Sequence, residues 1–556
     1  MSTSSSDLPI PRRFGAAAEM TAIIQTLLLL LAVLVAVAVL ARRLHVAPSI
    51  LLVIAGLALS FVPGLPAIEL APEFVLLVVL PPLIYLAGVA MSWREFRFNL
   101  RPIALLAFGC VVFTTCAVAA GAHFVLGLPW SIGFVLGAIV SPPDVVAPLA
   151  VARRLGLPRR ILVVLEGEGL ANDATALILY RFAVAAVSTG VFSLPEAIGT
   201  FSAIVVGEIA YGLAVGWIGL RLRHWARDPR VEITLAMMMP YLAYWVPEHL
   251  GGSGVLATVA AGLYVSWNGP LLISSATRLQ GIFVWDLFTY LIEGFIFLIV
   301  GMQARALVDR IESHSLSELV VGVLVTTAIC IVARFVWVYP AIYLPRKIPA
   351  VRRRDPAPIW QRPFMIAFVG VRGVVSLAAA LALPLTLGNG EPFPQREFIL
   401  FVVFGVIVLT LVGQGLMMPL VMRWLGLARV GLAEQRRERE AELRARHEAT
   451  DAAQKRLDEL AAEGEVDAGI AALLKARNVQ RTLQVPRTLE EGFEIAALGA
   501  KLRLELIDAE RRHLHQLERD GKLTDYARRR IERELDLEEA SIACKAETYE
   551  PPVSGG

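Results

Sequence analysis

Apolar blocks long enough to cross a bilayer recur along this chain as far as Leu427 and then stop. Residues 21–41 and 398–420 are two of them, and a helix needs about 20 residues to cross the hydrocarbon core. Hydrocarbon offers no water to backbone N–H and C=O groups, so repeated blocks of this length confine the chain to a helical bundle or a closed barrel. Uninterrupted rather than alternating hydrophobicity selects helices. Composition agrees: 56% of the residues are hydrophobic and 18% charged, against about 45–50% and about 25% in soluble domains. The first charges are Arg12 and Arg13, and the stretch after them is too long for the apolar region of a cleaved signal.

Reading the blocks between charges and Pro/Gly breaks gives about thirteen spans. They lie near residues 20–41, 48–62, 73–91, 102–127, 130–151, 161–187, 197–220, 231–249, 254–267, 281–303, 317–345, 363–386 and 397–424. Alternate loops carry the basic residues, among them Arg42 and Arg43, Arg94, Arg97 and Arg101, Arg153 to Arg160, Arg221 to Arg230, and Arg346 to Arg354. Positive loops stay in the cytoplasm, which puts the N-terminus outside and the C-terminus inside. The domains expected are an extracytoplasmic segment (1–19), a membrane domain (20–427) and a cytoplasmic charged helical tail (428–556) rich in Arg, Glu, Ala and Leu, with Pro486 dividing it. The net charge of +3 is spread over short loops and a mixed-charge tail, so nothing addresses nucleic acid. Cys110, Cys116, Cys330 and Cys544 have no metal-binding spacing.

Ionisable residues inside the spans carry the functional signal. A charge at mid-bilayer costs at least about 2.5–3.5 kcal/mol, and such residues mark ion pathways and proton relays. Asp144, Glu166, Glu168 and Asp173 fall within thirty residues, with Glu208, Glu293, Arg334 and Arg372 elsewhere. The fifth block contains SPPDVVAP, where Pro142 and Pro143 lack amide donors and disfavour helix before them. The twelfth contains FVGVRGVVS, with Gly370 and Gly373 flanking Arg372. They are seven blocks apart, so they run oppositely, and paired breaks in oppositely oriented halves mark an inverted-repeat transporter with a midplane site. Backbone carbonyls freed at the breaks, together with Asp144 and Asp173, offer the oxygen ligands a hard monovalent cation requires. In LEGEGLANDATALI, Glu168 and Asn172 share a helix face, and Asp173 lies about 100° further round.

The motifs LPPLIYLAG (80–88), GAIVSPPDVVAP (137–148), LEGEGLANDATALI (165–178), SGVLATVAAG (253–262) and FVGVRGVVSLAAALALP (368–384) resemble those of the cation:proton antiporter superfamily, in its NhaP-type and NHE-type branch of Na⁺/H⁺ exchangers. The resemblance implies an all-α homodimer of thirteen-helix subunits, in which a six-helix core moves against a dimerisation domain in the cell membrane. It implies that Asp173 binds cation and proton in turn with Asn172 as its partner, and that Asn–Asp marks electroneutral exchange. It makes Asp144 the aspartate of the unwound fifth helix, beside Ser141, Pro142 and Pro143. Glu168 and Arg372 would form a buried pair, with Glu166 and Arg334 in funnel or supporting places. The only cargo implied is Na⁺ or K⁺ and H⁺, with no cofactor and no enzymatic chemistry. Two positions depart from the family pattern: its serine after the glutamate is Gly169, and its Thr–Asp–Pro is Pro143–Asp144–Val145. Each loses a side-chain oxygen, which leaves the choice of Na⁺ or K⁺ open. An ion channel or organic-solute carrier on a related fold is the alternative, but no repeated selectivity-filter motif is present.

Overall fold

The computed structural model describes residues 13–44, 46–63, 65, 70–190, 193–309, 315–388, 390–463, 467–483 and 489–549. Residues 1–12 of the expected N-terminal segment, and the break expected at Pro486, lie outside these. Among the described residues regular structure is helical, apart from one isolated antiparallel bridge between Thr386 and Pro392. The blocks become α1 (Arg13–Leu44), α2 (Pro48–Ser60), α3 (Pro72–Ala90), α4 (Leu100–Phe124), α5a (Trp130–Val140) and α5b (Val146–Arg154), and α6 (Arg159–Thr189). They continue as α7 (Leu194–Ala226), α8 (Pro229–His249), α9 (Val255–Leu272), α10 (Ser275–Asp309), α11 (Leu316–Lys347), α12a (Gln361–Phe368) and α12b (Val374–Leu381), and α13 (Arg396–Leu425).

Nine of these helices, α1, α3, α4, α6, α7, α9, α10, α11 and α13, are long and apolar enough to cross a membrane. Of the other blocks, α2 is apolar but short, α8 carries Arg230, Glu232 and Glu248, and α5 and α12 are interrupted. The protein is thus a polytopic all-helical membrane protein with two discontinuous helices.

Hydrocarbon-facing helices gain nothing by hiding leucine from lipid, so α1 leaves Leu28, Val35 and Val39 exposed. Helices meet instead where small residues let backbones approach. α2 lies along α10 with Gly56 against Gly301, and α3 meets α9 at Gly88 and Gly262. α4 receives α5a where Gly133 and Gly137 face the Ala119 and Thr115 backbone.

At one end of this bundle Asp355, after α11, accepts hydrogen bonds from Arg101 (2.6 Å), Arg160 (2.8 Å) and Arg346 (2.5 Å). Three loops that the charge count assigned to one side are therefore tied together. Burial pushes the Asp355 carboxyl up, but the hydrogen bonds from Arg346 and Arg160 outweigh it and hold the group below the usual carboxylate range.

The chain divides into two compact units: one runs to Leu155 and from Arg159 to Leu425, and the other takes Gly156–Pro158 and everything from Gly426. The second unit holds α14 (Leu427–Ala462), α15 (Ala468–Leu483), α16 (Leu489–Arg519) and α17 (Asp525–Tyr549). α16 and α17 form a hairpin around Ile507 and Leu535, laced by Arg503–Glu538 (2.6 Å), Arg511–Asp536 (2.5 Å) and Arg528–Glu518 (2.8 Å). Gly521, at φ 70°, ends α16 in the left-handed conformation that glycine adopts without strain.

Candidate cation site at two broken helices

The two interruptions meet each other. α5 loses its helix between Val140 and Val146, where Pro142 and Pro143 supply no amide to the ladder, and α12 loses its own between Phe368 and Val374. The Asp144 amide donates to the Val371 carbonyl at 2.7 Å, so one break satisfies a group freed by the other. This close approach requires Gly373: a Cβ there would collide with the Asp144 carboxylate. Asp144 Oδ1 accepts the Val146 amide at 2.9 Å, placing a carboxylate at the N-terminal end of α5b, where the helix dipole favours negative charge. Ser141 is buried and its hydroxyl donates to the Ala138 carbonyl, closing the last turn of α5a.

α6 brings the remaining groups. Asn172 is fully buried and its amide donates to the Pro143 carbonyl at 2.7 Å, fastening α6 to the break. Its Oδ1 is buried without a hydrogen-bond partner. Asp173, the next residue, is half-buried, and among the described residues no hydrogen bond or ion pair engages its carboxylate. Its charge does interact with that of Asp144. Two carboxylates, an unsatisfied amide oxygen and broken-helix backbone therefore converge in the membrane domain, and among the described residues no cationic side chain holds either carboxylate. No cluster of three or more His, Cys, Asp or Glu residues suited to a resident metal occurs among the described residues.

Glu168 corrects the sequence reading. The expected partner was Arg372, but both Glu168 oxygens are taken by Arg334 of α11, at 2.5 and 2.8 Å. The planar guanidinium matches the carboxylate in a two-pronged bond, and Arg334 Nε also donates to the Ile366 carbonyl at the end of α12a. Arg372 sits on the α12 break itself. There it donates to the Gly370 carbonyl at 2.8 Å, while its amide donates to Thr410 at 3.0 Å. A positive charge beside freed carbonyls at the end of α12a opposes the helix dipole. Both arginines are buried, which the sequence predicted; their partners depend on which helix faces α6.

The other acidic residues separate. Glu166 pairs with Arg153 of α5b at 2.6 Å. Glu208 accepts the amides of Ser253, Gly254 and Leu256 and the Ser253 hydroxyl, and so caps the start of α9. Glu293, on α10, is half-buried and close enough to Asp144 for their charges to interact. Gly169 explains a departure noted in the sequence: a Cβ there would collide with the Val145 side chain. Valine after Asp144 fills the room that a residue larger than glycine would need, so Gly169 and Val145 are linked by packing. Arg181 of α6, paired with Glu248 of α8, escaped the sequence reading, although a charge within the block 161–187 was there to be counted.

A family model described as "Sodium/hydrogen exchanger, transmembrane" matches residues 29–424. An uncharacterised Na(+)/H(+) exchanger of Mycobacterium tuberculosis is 33% identical over 526 residues, which cover 92% of this chain and 95% of that protein. A sodium, potassium, lithium and rubidium/H(+) antiporter of Bacillus subtilis is 34% identical over 388 residues, 67% of this chain and 57% of that one. Among solved structures, the sodium proton antiporter MjNhaP1 of Methanocaldococcus jannaschii superposes with a TM-score of 0.56 at 19% identity, covering 73% of this chain and 99% of that one. That likeness is one of fold.

Proposed function

Because the chain belongs to the sodium/hydrogen exchanger family, we propose that it exchanges a monovalent cation, Na⁺ or K⁺, for protons, one for one, by alternating access. The observation that carries this reading is the Asp173 carboxylate, left without a cationic partner beside the two crossed breaks, while Glu168 is fully committed to Arg334. A lone carboxylate in a poorly solvated site must be neutralised, either by a proton or by a cation. It therefore alternates between the two, and competition for one group couples their movements. Asp144 adds a second carboxylate oxygen, and the buried Asn172 Oδ1 is a neutral ligand that a cation would satisfy. Arg334 and Arg372 hold the break in shape and carry no cargo. Relatives named for sodium and potassium exchange support both ions as substrates. The proposed setting is a homodimer in the cell membrane with the N-terminus outside. The helical tail from residue 428 lies in the cytoplasm and regulates transport.

Asp173→Asn tests the assignment, since it keeps the shape and removes the group that titrates. In proteoliposomes of the purified variant, addition of Na⁺ or K⁺ should move no protons above the empty-vesicle control, while thermal stability stays near that of the parent. Cation-driven proton movement by the variant would transfer the role to another carboxylate.

A further inference from the structure

Arg181 lies eight residues beyond Asp173 on α6, about 12 Å further along the helix axis and within about 80° of the same face. A guanidinium there stands between the carboxylate and the end of the bundle opposite Arg159 and Arg160. Its Nη1 donates to the Gly252 carbonyl at 2.6 Å and its Nη2 to the Glu248 carboxylate. Both partners belong to the end of α8 and the turn that leads into α9.

That turn is itself fixed. Glu208, reaching from α7, gathers the amides of Ser253, Gly254 and Leu256 and the Ser253 hydroxyl, and it is buried. The helices involved share α9 and α3 as neighbours but differ in their main partners. α6 packs chiefly on α5a and α4, whereas α8 packs on α7, α9, α3 and α10. Arg181 thus ties the helix that bears Asp173 to the rim at the end of α8 and the start of α9, beyond the contacts α6 makes along α9. The pair is only partly shielded, with 36% of the Arg181 side chain and 24% of the Glu248 side chain exposed. Ion pairs this accessible are weak enough to break and re-form.

We propose that Arg181 is the gate on this side of the site. Docked on Glu248 and Gly252, it holds α6 against the α8–α9 turn and sets a positive charge across the path from Asp173, which a cation cannot pass. Release of both contacts opens the site to that end, and each exchange cycle requires one release and one return. Arg181 is a positioning residue: it acts by controlling access and touches no cargo. The proposal rests on the reading of Asp173 as the carrier carboxylate.

Two measurements on the full chain, with Cys110, Cys116, Cys330 and Cys544 replaced, test it. The first places a reporter at Leu177→Cys, one turn from Asp173 toward Arg181, and follows its reaction with a membrane-impermeant methanethiosulfonate in lipid nanodiscs. Arg181→Gln and Glu248→Gln should each speed labelling at least fivefold. The exchanged pair Arg181→Glu with Glu248→Arg should return the rate to within twofold of the parent. The second joins Arg181→Cys to Glu248→Cys with a bifunctional, reducible thiol reagent. Cross-linking should stop the cation-driven proton movement that the uncross-linked double variant retains in proteoliposomes, and reduction should return it to that level. Unchanged labelling in well-folded single variants, or full exchange by the cross-linked protein, overturns the gate. Asp173→Asn run in parallel separates the two readings: if that variant transports, the carrier assignment falls, whatever the labelling shows.

Discussion

Of the two buried arginines that the sequence offered, Glu168 takes Arg334, whose guanidinium completes a two-pronged bond. Both members are essentially inaccessible, the arginine side chain at 2% and the glutamate at 0%. Charges removed from water this completely depend on each other, and removing one partner of such a pair costs about 3–5 kcal/mol. Glu168→Gln and Arg334→Gln should therefore each lower the thermal midpoint of the purified protein strongly. Replacing both with apolar residues of similar volume should recover most of the loss, because no unpaired charge remains. Glu168→Leu combined with Arg372→Met should not recover it, since Arg334 would stay charged and unpartnered. Thermal unfolding of these variants in one detergent decides between the partners; recovery with Arg372 and not with Arg334 would contradict the geometry. Sequence showed that three charges lay inside spans, and that buried charges pair. It could not show which arginine faced α6, because residues 166 positions apart meet only through the packing of whole helices.

Among elements, the interruptions of α5 and α12 were legible as Pro142–Pro143 and as Gly370 and Gly373 around an arginine. Their mutual hydrogen bond, from the Asp144 amide to the Val371 carbonyl, was not, because it requires the two breaks to be level. The loops between elements hold a second network that single segments do not announce. Asp355 joins the ends of α4, α6 and α11 through Arg101, Arg160 and Arg346. Its carboxyl is held below the usual range in the folded protein. A depressed folded-state pKa means that the stabilisation is complete above the unfolded carboxylate pKa and is lost as pH falls through the folded one. Asp355→Asn should therefore destabilise the protein at neutral pH by about 1–3 kcal/mol, because three guanidinium groups lose their shared acceptor. Arg101 and Arg160 keep 32% and 30% of their side chains exposed, which limits the loss. The difference between parent and variant should shrink on acidification below about pH 4. A difference that is constant from neutral to acid pH would show that the Asp355 charge contributes nothing.

For the whole molecule, the proposed use of one carboxylate, Asp173, for both ions sets the electrical character of transport. If Asp173 carries one cation outward and one proton back, no net charge moves in a cycle, and membrane potential has nothing to act upon. Na⁺-driven proton exchange in proteoliposomes should then proceed at the same rate when a permeant-anion gradient, which supplies no cargo cation, sets the potential at zero or at an imposed value. A rate that follows the potential would give Asp144 or Glu293 a share in carrying protons, since both are carboxylates near the site. All these carboxylates lie in the unit that ends at Leu425. Among the described residues, the second unit pairs its Arg and acidic side chains on α16 and α17.

The helical class, the two breaks and the family were determined by the sequence alone, for a local reason. Block length, proline's missing donor and an apolar solvent act on contiguous residues, so their consequences can be read from one segment at a time. The motif LEGEGLANDATALI likewise carried its own face geometry, because a helix fixes the angle between Asn172 and Asp173. Tertiary structure decided the pairings. Glu168 met Arg334, Glu208 became the cap of α9, Gly169 made way for Val145, and Arg181 reached Glu248. Each joins residues on different helices, and in a bilayer those helices are placed by close backbone packing at small residues, which leaves no trace in the order of polar residues along any one of them.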